Sequence, residues 1–125
     1  MSKKIIEPTK IETIIVTTDG SGNASVKSAN IINGEILKVA YDKGTVTTAT
    51  TSVLTNYTAL TGPEVEAIDS YTVNSGSAMR YARAEVTGSS AGDNNWCPFV
   101  VNDYLLVTVS GGQHNVSFTV YVFYR

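Results

Sequence analysis

FVVNDYLLVTV-SGGQHN-VSFTVYVFYR, Phe99–Arg125, is the stretch that decides the fold class. Two long apolar runs flank a polar, glycine-containing loop, the pattern of a β-hairpin. With Val109 set opposite Val116, Val107 meets Phe118, Leu105 meets Val120 and Val101 meets Tyr124. That face reads as a core face. The other face sets Tyr104 against Tyr121, Leu106 against Thr119 and Asn102 against Phe123. A sheet wetted on one side alternates apolar with polar, and this one fails to do so at Tyr104, Tyr121 and Phe123. Those side chains are expected to be covered by the chain's own loops, by a second subunit, or by a stacked sugar.

Working upstream, Ala24–Tyr41 carries Asn33-Gly34, the preferred pair for a two-residue type I′ hairpin turn. That turn sets Ile32 opposite Glu35, Val26 opposite Tyr41, and Lys27 and Lys38 on one face. Ile11–Thr18 reads as a strand, and Asp19–Asn23 (DGSGN) as a turn. The turn lacks the Lys-Ser/Thr ending of a phosphate loop. Asp42-Lys43-Gly44 breaks the chain again. Thr45–Thr55, rich in β-branched residues, reads as a strand or a bent pair of strands.

Downstream, Thr61-Gly62-Pro63 could open one short helical turn. Ala67–Val73 is a candidate strand, and Asn74–Ser77 a turn. Ala78–Val86 has helical spacing at Met79, Ala82 and Val86 but strand neighbours, and is assigned as a strand. Gly88–Asn95 is the longest loop. The sum is about eight strands with short turns and at most one short helical turn: an all-β, antiparallel, jelly-roll-like β-sandwich. Residues 1–10, with Pro8, read as an N-terminal arm, and 11–125 as a single domain.

The 125 residues are 42% apolar and 16% charged, enough to bury a core without a metal or disulfide staple. Net charge is −2 with charges scattered singly, which argues against nucleic-acid binding by phosphate neutralisation. The N-terminus has no apolar signal region and no run reaches the length of a membrane span, so cytoplasmic synthesis without membrane contact is expected. One cysteine, Cys97, cannot pair within the chain.

Catalytic chemistry finds little footing. The single histidine, His114, sits in the terminal loop with no oriented nucleophile beside it in sequence, and cannot build a His-based metal centre alone. Cys97 lacks a neighbour that would lower its pKa. The carboxylates are dispersed. No catalytic, cofactor or metal residue is assigned, and the chain is read as no enzyme. What remains is the aromatic face: Tyr104, Tyr121, Phe123 and Leu106 as interface candidates, or Trp96, Tyr104 and Tyr121 as a glycan platform.

The succession of DGSGNAS, IINGEILKVAYDKGT, a Thr-rich strand and FVVNDYLLVTVSGG…FTVYVFYR resembles small β-sandwich structural and accessory proteins of tailed bacteriophages. The resemblance lies in hairpin punctuation across most of the chain, with no chemical motif. It implies a non-enzymatic virion component (a decoration, head-fibre, neck or tail protein) that forms a homo-oligomer, commonly a trimer. It also implies attachment to a larger assembly such as a capsid or tail. A carbohydrate-binding module is the alternative from another class.

Overall fold

The computed structural model describes residues 9–58, 67–74, 77–81, 84–85, 96–97 and 99–125. Among them the chain is all-β, and two antiparallel sheets pack together as a β-sandwich. The first sheet runs in the order β1 (Lys10–Thr17), β11 (Ser117–Tyr124), β3 (Ile32–Asp42), β6 (Ala78–Arg80). The second runs β2 (Ala24–Lys27), β10 (Leu105–Val109), β4 (Thr50–Asn56), β5 (Asp69–Val73). This four-on-four order, in which most consecutive strands change sheet, is that of a jelly roll. Three short strands are additions: β9 (Val100–Asp103) pairs with the start of β3, and β7 (Ala84–Glu85) with β8 (Trp96–Cys97) forms a separate ribbon.

Period-two patterning builds the core. In β1, Glu12, Ile14 and Val16 point inward while Ile11, Thr13, Ile15 and Thr17 point out. Phe118, Val120 and Val122 of β11 and Val39 and Tyr41 of β3 extend that buried layer. Leu105, Val107 and Val109 of β10, Leu54 of β4 and Val73 of β5 meet it from the second sheet, in one cluster. Each such side chain contributes roughly 1.5–3 kcal/mol on burial. On β1 this layer takes in a carboxylate: Glu12 is buried and accepts hydrogen bonds from the Asn30 amide (3.2 Å) and from Asn30 Nδ2 (3.1 Å).

Neither expected hairpin forms. β10 and β11 lie in different sheets, so Ser110–Asn115 is an arch across the sandwich and Tyr104 does not pair with Tyr121. Val107 and Phe118 do share the core, but from opposite walls. Both strands look amphipathic because each needs one buried face, whichever sheet it joins.

The Asn33-Gly34 turn is likewise absent. Both residues lie within the continuous strand β3, whose first half pairs with β9: Asn33 with Asn102, Gly34 with Val101. β2 pairs with β10 instead, Val26 opposite Val107, while Tyr41 pairs with Val120. Lys27 and Lys38 are therefore on different sheets. The glycine answers a close approach of chains. Its φ is +156°, and a Cβ there would run into the carbonyl of Arg125. Glu35 and Arg125 exchange backbone hydrogen bonds at 2.8 and 3.0 Å beside it, next to a register shift between Phe123 and Tyr124.

The other boundaries shift less. Of Thr45–Thr55 only Thr50 onward is strand, and the residues before it form a loop around buried Val46. Ala78–Val86 divides into β6 and β7. Of the arm expected over residues 1–10, Lys10 belongs to β1; residues 1–8, the helical turn at Thr61–Glu64 and the loop at Gly88–Asn95 lie outside the described residues.

One end of the sandwich is knitted from three loops. Asp19 Oδ1 accepts the amides of Ser21 (2.8 Å) and Asn23 (3.0 Å). Gln113 Oε1 accepts the amides of Thr47 (2.8 Å) and Thr48 (3.0 Å). The Gly112 amide donates to the Gly22 carbonyl at 2.9 Å, an approach so close that a Cβ on Gly22 would collide with Gly112.

Candidate functional site

The outward side of the first sheet departs from the rule that a solvated sheet face is polar. The strand registers set its rows. Ile15 lies beside Thr119 and Asp42; Thr13 beside Tyr121, Ala40 and Met79; Ile11 beside Phe123 and Lys38. Ile11 is 54% exposed, Ile15 64% and Met79 50%. Tyr121 and Phe123 are half-buried between these neighbours, and the Lys38 ammonium lies 4.8 Å from the Phe123 ring centre. Beside Tyr121 the sheet dips into an open hollow of about 370 Å³, walled by Ala40, Asp42, Ser77, Ala78 and Met79. Apolar ridge and hollow together form a continuous surface of the kind that marks contact sites.

The second sheet's outward side is different. Ser25, Thr108, Val53 and Ser70 form one row, and the next holds Lys27, Leu106 and Thr55. Thr51 and Thr72 share a hydrogen bond of 3.0 Å. Its aromatic corner is filled from within. Tyr57 and Tyr104 meet edge to face at 6.3 Å, and Lys27 Nζ sits 4.6 and 4.1 Å from their ring centres. Asp103 supports the corner by accepting the amides of Thr58 (2.6 Å) and Tyr104 (2.7 Å).

The structure therefore separates the aromatic residues that the sequence grouped. Tyr121 and Phe123 lie together on the first sheet. Tyr104 and Leu106 lie on the second, so a platform shared by Tyr104 and Tyr121 does not exist. The Trp96 backbone pairs with Glu85 in the ribbon, and its side chain lies outside the described residues.

Between the sheets is a polar cluster that sequence reading missed. The Tyr41 hydroxyl donates to Asp69 Oδ2 at 2.7 Å, and Arg80 Nε bridges the same carboxylate at 3.0 Å. The Arg80 guanidinium also covers the Tyr71 ring at 4.9 Å, and Tyr41 packs on Tyr71 at 4.8 Å. Burial first, then the hydrogen bond to Asp69 and its charge, push the Tyr41 phenol well above the ordinary tyrosine range. Tyr41 and Arg80 belong to the first sheet, Asp69 and Tyr71 to the second. The cluster is a pin between layers, with the Tyr41 hydroxyl, the Asp69 carboxylate and Arg80 Nε partnered within it. No short-range motif announces it, because its members come together only in the fold.

His114 is an exposed loop residue. The amides of Asn23 and Ser21 hold the nearby Asp19 carboxyl below the usual carboxylate range. Among the described residues no group of three or more His, Cys, Asp or Glu is arranged to hold a metal.

Compared with protein families and with curated proteins, the sequence matches no family model and no curated protein. The arrangement that stands out is a jelly-roll sandwich in which one outward face is mostly polar and the other sets exposed Ile11, Ile15 and Met79 around Tyr121 and Phe123.

Proposed function

We propose that the protein is a non-enzymatic assembly component that self-associates and docks through the outward face of its first sheet. The observation that carries this reading is the exposure of Ile11, Ile15 and Met79 around Tyr121 and Phe123. The setting we assign is a tailed-bacteriophage virion, as a decoration, head-fibre, neck or tail accessory. Its support is the likeness in strand punctuation, together with a jelly-roll order found in viral capsid domains and lectins alike. The test is solution mass by light scattering at micromolar concentration, for the natural chain and for Phe123→Asp. An oligomer that Phe123→Asp converts to monomer, with unchanged melting, supports the reading. A natural chain that stays monomeric up to millimolar concentration overturns self-association.

A second reading is a carbohydrate-binding module. The hollow beside Tyr121 favours it, with the carboxylate of Asp42 and the hydroxyl of Ser77 at its wall. Glycan-array binding that disappears in a folded Tyr121→Ala variant would establish it, and silence across a broad array would remove it.

A further inference from the structure

The phase of the β1–β11 ladder identifies the backbone groups that β1 presents to the outside. The Thr18 amide donates to the Val116 carbonyl at 2.9 Å. The Ser117 carbonyl turns the other way, to the Thr45 amide at 2.9 Å. In an antiparallel ladder inward-bonded and outward-facing residues alternate. Hence Glu12, Ile14 and Val16 bond to β11, whereas the N–H and C=O groups of Ile11, Thr13, Ile15 and Thr17 face the open side of β1. Among the described residues β11 is the only strand paired with β1.

This edge differs from the sandwich's other free edges. β2 has four residues and carries exposed Lys27; β5 has five; β6 has three and carries Arg80. β1 has eight, and from Ile11 to Thr17 it contains no proline, no lysine and no register shift. Proteins ordinarily block long edges with such devices. β1 keeps two charges, Lys10 at its start and the inward-pointing Glu12, but Glu12 is satisfied by Asn30, and the four residues from Ile11 to Thr17 whose backbone faces outward are uncharged. The four outward-bonding residues are also the four whose side chains form the rim of the apolar face: two isoleucines and two threonines, all uncharged and β-branched.

We infer that β1 of one chain pairs antiparallel with β1 of a second copy about a twofold axis, joining the two first sheets into one continuous sheet. This inference rests on the proposed self-association and adds an edge to it: Phe123 lies on β11, one strand in from the β1–β1 contact, so Phe123→Asp tests the face and the β1 variants test the edge. The register that uses all four free residues centres on Ile14. It sets Ile11 against Thr17 of the second copy and Thr13 against Ile15 of the second copy. No like charges oppose one another: Glu12 falls across from Val16 and Lys10 across from Thr18. Each side's pattern satisfies the other, as an isologous contact requires. The joined sheet brings both copies' Ile11, Ile15, Tyr121 and Phe123 onto one surface, a wider platform than either chain offers alone.

Amide hydrogen exchange by NMR on the full chain, over a concentration series, tests this directly. Raising the concentration should slow exchange at Ile11, Thr13, Ile15 and Thr17 by about tenfold or more, while the mass rises to that of two chains. Glu12, Ile14 and Val16, bonded to β11 in every state, should not follow concentration in this way. Thr13→Pro removes only an outward amide, so it should keep the fold, abolish the protection and return the mass to one chain. If proline distorts the strand, Thr13→Lys places a charge at the same edge and should act alike. An oligomer whose four amides stay unprotected, or a trimer (a twofold edge closes at two), overturns the edge and leaves the apolar-face reading intact. A chain monomeric throughout overturns both.

Discussion

The two outward faces of this sandwich are built from the same secondary structure and differ in how much apolar surface they expose. On the second sheet Ser25, Thr51, Thr55, Ser70, Thr72 and Thr108 meet water, and the one aromatic pair is capped by the chain's own Lys27. On the first sheet Ile11, Ile15, Ala40, Met79, Tyr121 and Phe123 hold equivalent positions, with Thr13, Thr119, Lys38 and Asp42 between and around them. Strand propensity does not distinguish them, since threonine and isoleucine are both β-branched and suit a pleated surface. Packing demand within the monomer does not distinguish them either, because both faces point away from the core. The difference therefore bears on what lies outside the chain, which is why the first sheet carries the functional proposal.

The contrast depends on the sheets staying back to back, and the largest expected effect comes from cutting what ties them. Asp69 is the shared acceptor of Tyr41 and Arg80. Asp69→Ala leaves a buried phenol without its acceptor and a half-exposed guanidinium without its partner. Loss of about 3 kcal/mol is expected, read as a lower urea midpoint at unchanged slope. A loss below about 0.5 kcal/mol, the range of an ordinary surface change, would mean that apolar packing alone holds the layers.

A smaller effect, with a pH signature, comes from the other end of that hydrogen bond. Tyr41→Phe deletes the hydroxyl and should cost about 1.5 kcal/mol at pH 7. The folded chain holds this phenol neutral well above the ordinary range, while in the unfolded chain it ionises near pH 10. A raised folded pKa gives stability that is complete below the unfolded value and lost as the pH climbs past it, at up to about 1.4 kcal/mol per pH unit. The gap between the natural chain and Tyr41→Phe should thus stay level to about pH 10 and close near pH 11. Urea titrations of both chains between pH 7 and 11 measure it. A gap that stays constant throughout would place the Tyr41 hydroxyl in contact with water.

These residues also show where sequence reading stops. Alternation locates the buried positions of β10 and β11, Leu105, Val107, Val109, Phe118 and Val120, because period two depends only on which side of a strand is wet. It could not say which strands are neighbours. In a jelly roll consecutive strands mostly change sheet, so Val107 and Phe118 look like hairpin partners and are facing walls of one core. Asn33-Gly34 has the composition of a turn, yet the glycine is required by the passage of Arg125, a residue 91 positions away. The excess of apolar character at Tyr121 and Phe123 was legible as a face that solvent alone does not explain. Tyr104 joins them only in a hairpin register that the fold does not adopt. The Tyr41–Asp69–Arg80 pin was illegible, since three ordinary polar residues acquire meaning only when the layers close.

The smallest expected change in stability gives the sharpest trial of the contrast. Ile11→Thr with Ile15→Thr rewrites the rim of the first sheet in the language of the second. Both side chains are more than half exposed and both replacements are β-branched, so folding free energy should stay within about 0.5 kcal/mol. Self-association should nevertheless fall, because the apolar contact is lost while every outward backbone group on β1 remains. Thr108→Ile is the reciprocal change. It places an isoleucine on the second sheet between Ser25 and Val53 and beside Leu106, a small apolar group bounded by Ser25, Lys27, Thr55 and Ser70. It should leave the solution mass where it was. If Thr108→Ile promotes association as strongly as the two threonines on β1 suppress it, hydrophobicity at any outward position suffices, and the first sheet's face has no special role. If only the β1 pair matters, the apolar character belongs to that face and works through its continuity with Tyr121 and Phe123.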